Sequence, residues 1–138
     1  MKKKGFTLIE LLVSLSIIAI LIGLALVSYQ GAQRSSRDGR RKADLEQIRS
    51  ALEMCRTDTG SYPSGTLVSG NNITCGSVTY LTIPSDPLSD RQYVYTNIDR
   101  TSYTLCAALE NGAGTVTGCG SCAKPNSSVV CNYKVTNP

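Results

Sequence analysis

The chain has 138 residues, 41% hydrophobic and 17% charged, with a formal net charge of +4, six Cys, no His and no Trp. That is about one domain's length. The missing His excludes a Ser-His-Asp or Cys-His site within this chain and removes the commonest general base and metal ligand. Lys2, Lys3 and Lys4 open the chain, and no charge occurs from Leu11 to Gln33. Arg34, Arg37, Arg40, Arg41 and Lys42 then cluster around Asp38, and the remainder is slightly acidic.

The first predicted element is an apolar rod, LLVSLSIIAILIGLALV, from Leu11 to Val27. At ~1.5 Å per helical residue, the charge-free stretch can cross a bilayer core of ~30 Å. A secretory signal peptide shares the basic start and apolar centre, but this run is long and no small-x-small pattern closes it. A plain single-pass anchor is the next reading. Neither accounts for Glu10 at the mouth of the rod, where a carboxylate is costly and needs a partner. The leader lysines are the nearest positive groups; were the leader removed, the new α-amino group of Phe6 would serve.

The run Lys2-Lys3-Lys4-Gly5-Phe6-Thr7-Leu8-Ile9-Glu10-Leu11-Leu12 resembles the prepilin-peptidase site of the type IV pilin superfamily, which includes the pseudopilins of type II secretion. The resemblance implies cleavage after Gly5 and N-methylation of Phe6. It places Glu10 at the family's acidic position, where it would neutralise the Phe6 amine of a neighbouring subunit during assembly. Buried charges are tolerable as such a pair. Val27 stands where many members carry Pro. The resemblance also sets the orientation, because the leader's three cations do not outweigh the collar's five under the positive-inside rule.

Arg34, Arg37 and Arg41 share a helical face, and Asp38 is spaced to pair with Arg34 and Lys42. The collar Arg34, Arg37, Arg40, Arg41 and Lys42 reads as a solvated segment. The sharper reading is contact with lipid or DNA phosphates, or with acidic patches on neighbouring subunits. No base-reading or stacking pattern accompanies it, so DNA is not expected as a partner. From Ala43 to Thr59 the spacing predicts an amphipathic helix. Leu45, Ile48, Leu52 and Cys55 lie on one side; Glu46, Arg49, Glu53 and Arg56 lie on the other and pair along the helix. Gly60 and Pro63 end it. One helix from about Phe6 to Thr59 would be roughly 80 Å long.

Ser61 to Pro87 reads as an irregular connection with a short apolar element at Val78 to Ile83. Strands are predicted at Gln92 to Asn97, Ser102 to Glu110 and Ser128 to Val135, with a tight link at Asn97 to Arg100 and a Gly-rich loop from Asn111 to Asn126. The fold class is α+β. A long N-terminal helix, apolar in its first half, packs by its second half on a small antiparallel sheet of about three strands in a disulfide-braced head. The segments are a cleaved leader (1–5), a membrane or filament-core half (6–33), an amphipathic half (34–60) and the head (61–138). Pro84-x-Asp86-Pro87 followed by Tyr93-x-Tyr95 also resembles major pilins and pseudopilins.

Six Cys in an exported head imply disulfides, with 15 pairings open. The favoured set is Cys55–Cys75, Cys106–Cys131 and Cys119–Cys122. The rival set joins Cys106 to Cys119 and Cys122 to Cys131. The Cys119-x-x-Cys122 spacing also suits redox or zinc sites, but it lies in a Gly-rich loop without His. Major pseudopilins often bind calcium through an acidic loop after the sheet. Gly112 to Lys124 has no Asp or Glu, so neither calcium nor any cofactor is expected. The expected function is a pilin of a type IV pilus-like filament. The alternatives are a type II secretion pseudopilin and a DNA-uptake or adhesion minor pilin. The partners implied by the resemblance are copies of the chain, a prepilin peptidase, an assembly platform and motor, and the cytoplasmic membrane.

Overall fold

In a computed structural model describing residues 5–97, 99–125 and 127–137, the chain forms one helix and five strands. Helix α1 spans Leu8–Thr59, and its backbone stays helical through Gly23, Gly31 and Gly39. It ends where Gly60, at φ 76°, donates its N–H to the Arg56 carbonyl at 2.8 Å. A glycine in this left-handed conformation satisfies a helix-end carbonyl without a Cβ penalty. The chain divides after Ser35 into two compact units. The first contains the apolar part of α1, whose large side chains are exposed all round.

The second unit contains the rest of α1 and the head. Strands β3 (Val94–Asn97), β4 (Tyr103–Ala107) and β5 (Tyr133–Thr136) form an antiparallel sheet in the order β3-β4-β5. Leu45, Ile48, Ala51, Leu52 and Cys55 of α1 cover one face, meeting Tyr95, Tyr103, Leu105, Ala107 and Val135. The 3.6-residue spacing of the helix stripe meets the two-residue alternation of the strands, as expected from sequence. The opposite face is buried too. Cys106 and Ala108 pack there with Cys122 and Cys131, so every residue of β4 is buried.

Two predicted boundaries need correction. The connection after α1 is not wholly irregular, because β1 (Asn72–Cys75) pairs with β2 (Val78–Thr82) in an antiparallel hairpin. Its Asn and Thr side chains point outward and disguise the strand, while Ile73 and Cys75 point in. The last strand begins at Tyr133, not Ser128. Before it, Asn132 imitates a strand residue: its side chain accepts the Leu109 N–H at 2.7 Å and donates to the Leu109 carbonyl at 2.9 Å. A Cβ on Gly112 would lie 2.5 Å from that amide, so Gly112 makes room for the substitution of side chain for backbone.

The cysteines join as Cys55–Cys75, Cys106–Cys119 and Cys122–Cys131. The favoured pairs Cys106–Cys131 and Cys119–Cys122 are therefore replaced by the rival set. Register explains the difference. Cys106 lies opposite Lys134, so Cys131 falls before the paired part of β5 and turns to the loop carrying Cys122. Peptide mapping under non-reducing conditions should find these three pairs and no free thiol. A Cys106–Cys131 fragment or six alkylatable cysteines would contradict them.

Candidate assembly site

The first turn of α1 is closed by a reciprocal pair. The Thr7 N–H and hydroxyl donate to Glu10 Oε2 at 2.9 and 2.7 Å, and the Glu10 N–H donates to Thr7 Oγ1 at 3.3 Å. This Thr-x-x-Glu arrangement satisfies helix-start donors that have no partner inside the helix. The carboxylate also sits at the positive end of the helix dipole. Glu10 is exposed, as are Gly5 and Phe6 ahead of it. Residues 5–7 are not helical, so the Gly5–Phe6 bond lies in open chain. A Cβ on Gly5 would meet nothing, so packing in this unit does not require a glycine there. The leader lysines, named above as partners for Glu10, lie outside the described residues.

Behind this turn the helix is long and apolar enough to cross a membrane. Its few polar groups are cared for locally. Ser14 donates to the Glu10 carbonyl at 2.7 Å and Ser16 to the Val13 carbonyl at 2.8 Å. Such back-bonding lets a hydroxyl sit in an apolar medium without an orphan donor. Exposed Tyr29 follows the apolar run, a position that suits an interface.

The collar is only partly solvated. Arg41 is fully buried and bound by carboxylates from three segments. Its Nε and Nη2 donate to both oxygens of Asp86 at 2.8 and 2.9 Å. Its Nη1 donates to Asp38 at 2.8 Å and Glu110 at 2.9 Å. Arg37 grips Glu110 with two bonds of 2.7 Å. Asp38 does not pair with Arg34 or Lys42. It accepts the backbone N–H groups of Glu110 and Asn111 at 2.8 and 2.9 Å, as well as Arg41. Buried charges persist when their hydrogen bonds are completed in this way. Lys42 is exposed and lies 5.5 Å from the centre of the Tyr133 ring. Arg34 and Arg40 are exposed.

These contacts set the protonation of the cluster. The double bond from Arg37, then burial opposed by Arg41, leaves the Glu110 carboxyl at about 2, against an ordinary 4.5. Burial raises the Asp38 pKa, but the two backbone donors and Arg41 outweigh it and leave it lowered. A depressed carboxylate contributes stability that is complete above its unfolded pKa and disappears as pH falls through its folded one. The head should therefore lose stability from about pH 4.5 toward about pH 2, with each such carboxylate adding a slope of at most about 1.4 kcal/mol per pH unit. Thermal melts of wild type and Glu110→Gln across that range test this. The variant should be less stable at pH 6 and show a shallower slope; parallel curves would contradict the assignment.

A second row of polar contacts joins α1 to the head. Tyr93 donates to Asp44 at 2.6 Å, and Tyr62 and Tyr103 both donate to Glu53 Oε1 at 3.0 Å. Tyr80 donates to Asp58. Glu53 therefore turns to the tyrosines instead of pairing along the helix, and Arg56 donates to the Tyr62 hydroxyl at 3.0 Å. Burial first, then Asp44, pushes the Tyr93 phenol pKa upward. The seven Tyr signalled apolar bodies with polar tips, but nothing local named their acidic partners.

The N-terminal segment thus joins an open Gly5–Phe6 bond and a capped carboxylate to an exposed apolar helix. Residues 1–26 match a family described as "Prokaryotic N-terminal methylation motif". Its N-terminal segment is thus of the kind shared by type IV pilins and pseudopilins. It is 41% identical over 56 residues to the "Type IV major fimbrial protein FimA" of Dichelobacter nodosus, a match covering 41% of this chain and 36% of that protein. It is 34% identical over 82 residues to a "Probable minor fimbrial protein" of the same organism, covering 55% of this chain and 52% of the relative. It is 30% identical over 63 residues to the "Type II secretion system core protein G" of Pectobacterium carotovorum subsp. carotovorum, covering 46% of this chain and 40% of the relative. The chain thus spans roughly a third to a half of these relatives' lengths. No solved structure gives a significant match.

Proposed function

We propose that this chain is a pilin, the structural subunit of a type IV pilus-like filament. It enters the bacterial cytoplasmic membrane by its N-terminal helix with the head on the outer side. It is cut between Gly5 and Phe6 by a prepilin peptidase and methylated on Phe6. An assembly platform and motor then draw it into a helical polymer of copies of itself. The observation that carries this reading is the methylation-motif match over residues 1–26, coinciding with an exposed apolar helix behind an open Gly5–Phe6 bond.

Three features support the steps. Proteases cut most readily in exposed, irregular chain, and Gly5 and Phe6 are exposed and outside the helix. A glycine that the packing leaves unconstrained is free to answer to the peptidase. Apolar side chains exposed all round require lipid or sister helices, which suits a move from membrane to filament core. The disulfides suit an oxidising compartment outside the cytoplasm. Superfamily kinship with structural subunits is consistent with a non-enzymatic role.

Mass analysis of the mature chain should begin at methyl-Phe6. A start at Met1 would overturn the processing claim. The fimbrial relatives favour a pilus, while the type II secretion relative keeps a pseudopilin as the second reading. Surface filaments lost on deletion of the gene favour the pilus; failed export of secreted proteins with filaments intact favours the pseudopilin. An uptake role is less supported, because Arg37 and Arg41 are committed to carboxylates inside the head.

A further inference from the structure

We propose that the free edge of β3 is a docking site for an extended peptide segment of a partner protein. The segment adds to the sheet as another strand, puts an apolar side chain into the hollow beside Tyr93 and Tyr95, and sets a carboxylate against Lys124. Nothing in this edge depends on the chain forming a filament.

The order β3-β4-β5 leaves one side of β3 without a strand. Across that side lies the 64–69 segment, yet no backbone hydrogen bond joins Val94–Asn97 to it among the described residues. Between them is a cavity of about 480 Å³, lined by Ile48, Leu67, Ile83, Tyr93, Tyr95 and Leu105 among others. A separate, shallower hollow lies along Val94–Asn97, beside Thr66, and is lined by Asp99 and Arg100. The first cavity's walls include Tyr95, which packs toward α1, and Val94, which packs toward the opposite face. That cavity therefore opens on the strand's edge, not on a face. It reaches the core, since Ile48 and Leu105 are each 1% exposed.

These features point to one kind of occupant. A free strand edge offers alternating N–H and C=O groups that only another extended main chain can match in register. Strand addition draws affinity from those bonds and specificity from pockets for alternate side chains. The volume falls within the range of ligand-binding hollows, and its lining is mostly apolar with a few polar groups. Its polar lining residues include Thr66, Ser69, Gln92, Ser121 and Lys124, and Lys124 is the only charged residue lining it among the described residues. No ion pair engages Lys124 among those residues. Charge complementarity therefore selects an acid beside Lys124.

The test uses the full chain in detergent micelles and two capped six-residue peptides of alternating Thr and Val, one ending in Asp and one in Lys. The Asp peptide should bind and slow amide exchange at Val94–Asn97. Val68→Trp, at a half-exposed position on the cavity wall, should abolish binding while leaving the melting temperature unchanged. Lys124→Glu should weaken the Asp peptide by about fivefold and reverse the preference between peptides, the scale of an exposed ion pair turned repulsive. Three outcomes would overturn the proposal. The first is no binding, or binding indifferent to both substitutions. The second is slowed exchange at β3 that depends on protein concentration without peptide, which would make the occupant a second copy. The third is displacement of the peptide by octanoate without β3 protection, which would make the hollow a small-molecule pocket.

Discussion

Arg41→Met should destabilise the head by about 3–5 kcal/mol, the scale found when one partner of a buried ion pair is removed. With typical domain stabilities of ~5–15 kcal/mol, that is a large share of the total. The physical reason is what remains. Asp38, Asp86 and Glu110 would face one another with Arg37 as the nearest counter-charge. Methionine nearly fills the volume but offers no donors, so packing is not the main loss. Chemical denaturation of the full chain in detergent, monitored by tyrosine absorbance, reads the effect directly. Arg41→Lys should recover only part of it, because an ammonium cannot present the planar fork that meets both Asp86 oxygens. If Arg41→Met costs under about 1 kcal/mol, in the range of a surface pair, the cluster does not anchor helix to head.

Glu10→Ala should leave membrane insertion intact and abolish filaments. Removing one side of a desolvated charge pair costs about 3–5 kcal/mol per contact, which corresponds to a hundredfold or more in association. The Thr7–Glu10 box supplies the control that separates charge from helix capping. Glu10→Gln keeps a capping side chain and loses the charge. Thr7→Ala weakens the cap by about 1 kcal/mol and keeps the charge. If the carboxylate acts by pairing with the Phe6 amine, Glu10→Gln should fail to assemble while Thr7→Ala still does. The reverse pattern, read by electron microscopy of sheared surface fractions, would assign Glu10 to helix initiation alone.

Features written in local periodicity are legible in the residues alone. The stripe Leu45-Ile48-Leu52-Cys55 carries its own helical period and lies on the core. The Gly60 stop is readable for the same reason. The Thr7–Glu10 box is also written locally, as Thr-x-x-Glu ahead of an apolar run, but the cost of the Glu10 charge points to a distant partner and masks the near one. The fate of Arg41 is not legible, because its partners Asp86 and Glu110 lie 45 and 69 residues away. A collar of like charges looks solvated until the chain folds acids onto it. Strand β1 is hidden because Asn72 and Thr74 face outward and mimic a turn-rich loop. The cystine pairing turns on where β5 begins, and Asn132 moves that boundary by standing in for backbone.

The three sulfur bridges close the separate stretches 55–75, 106–119 and 122–131, and none encloses another. Only the first touches α1, and it ties the helix to the β1–β2 hairpin. A single peptide-bond cut inside any closed stretch therefore leaves one covalent molecule. A cut anywhere in 76–102 yields two fragments with no bond between them, one keeping the helix and the other at least β4 and β5. Between those pieces, attachment would rest on non-covalent contacts, among them the packed stripe, the Glu110 ion pairs of Arg37 and Arg41, and the Asp38 bonds to the Glu110 and Asn111 N–H groups. Full oxidation of the cysteines thus protects the loops from unravelling but gives no insurance against the sheet parting from its helix.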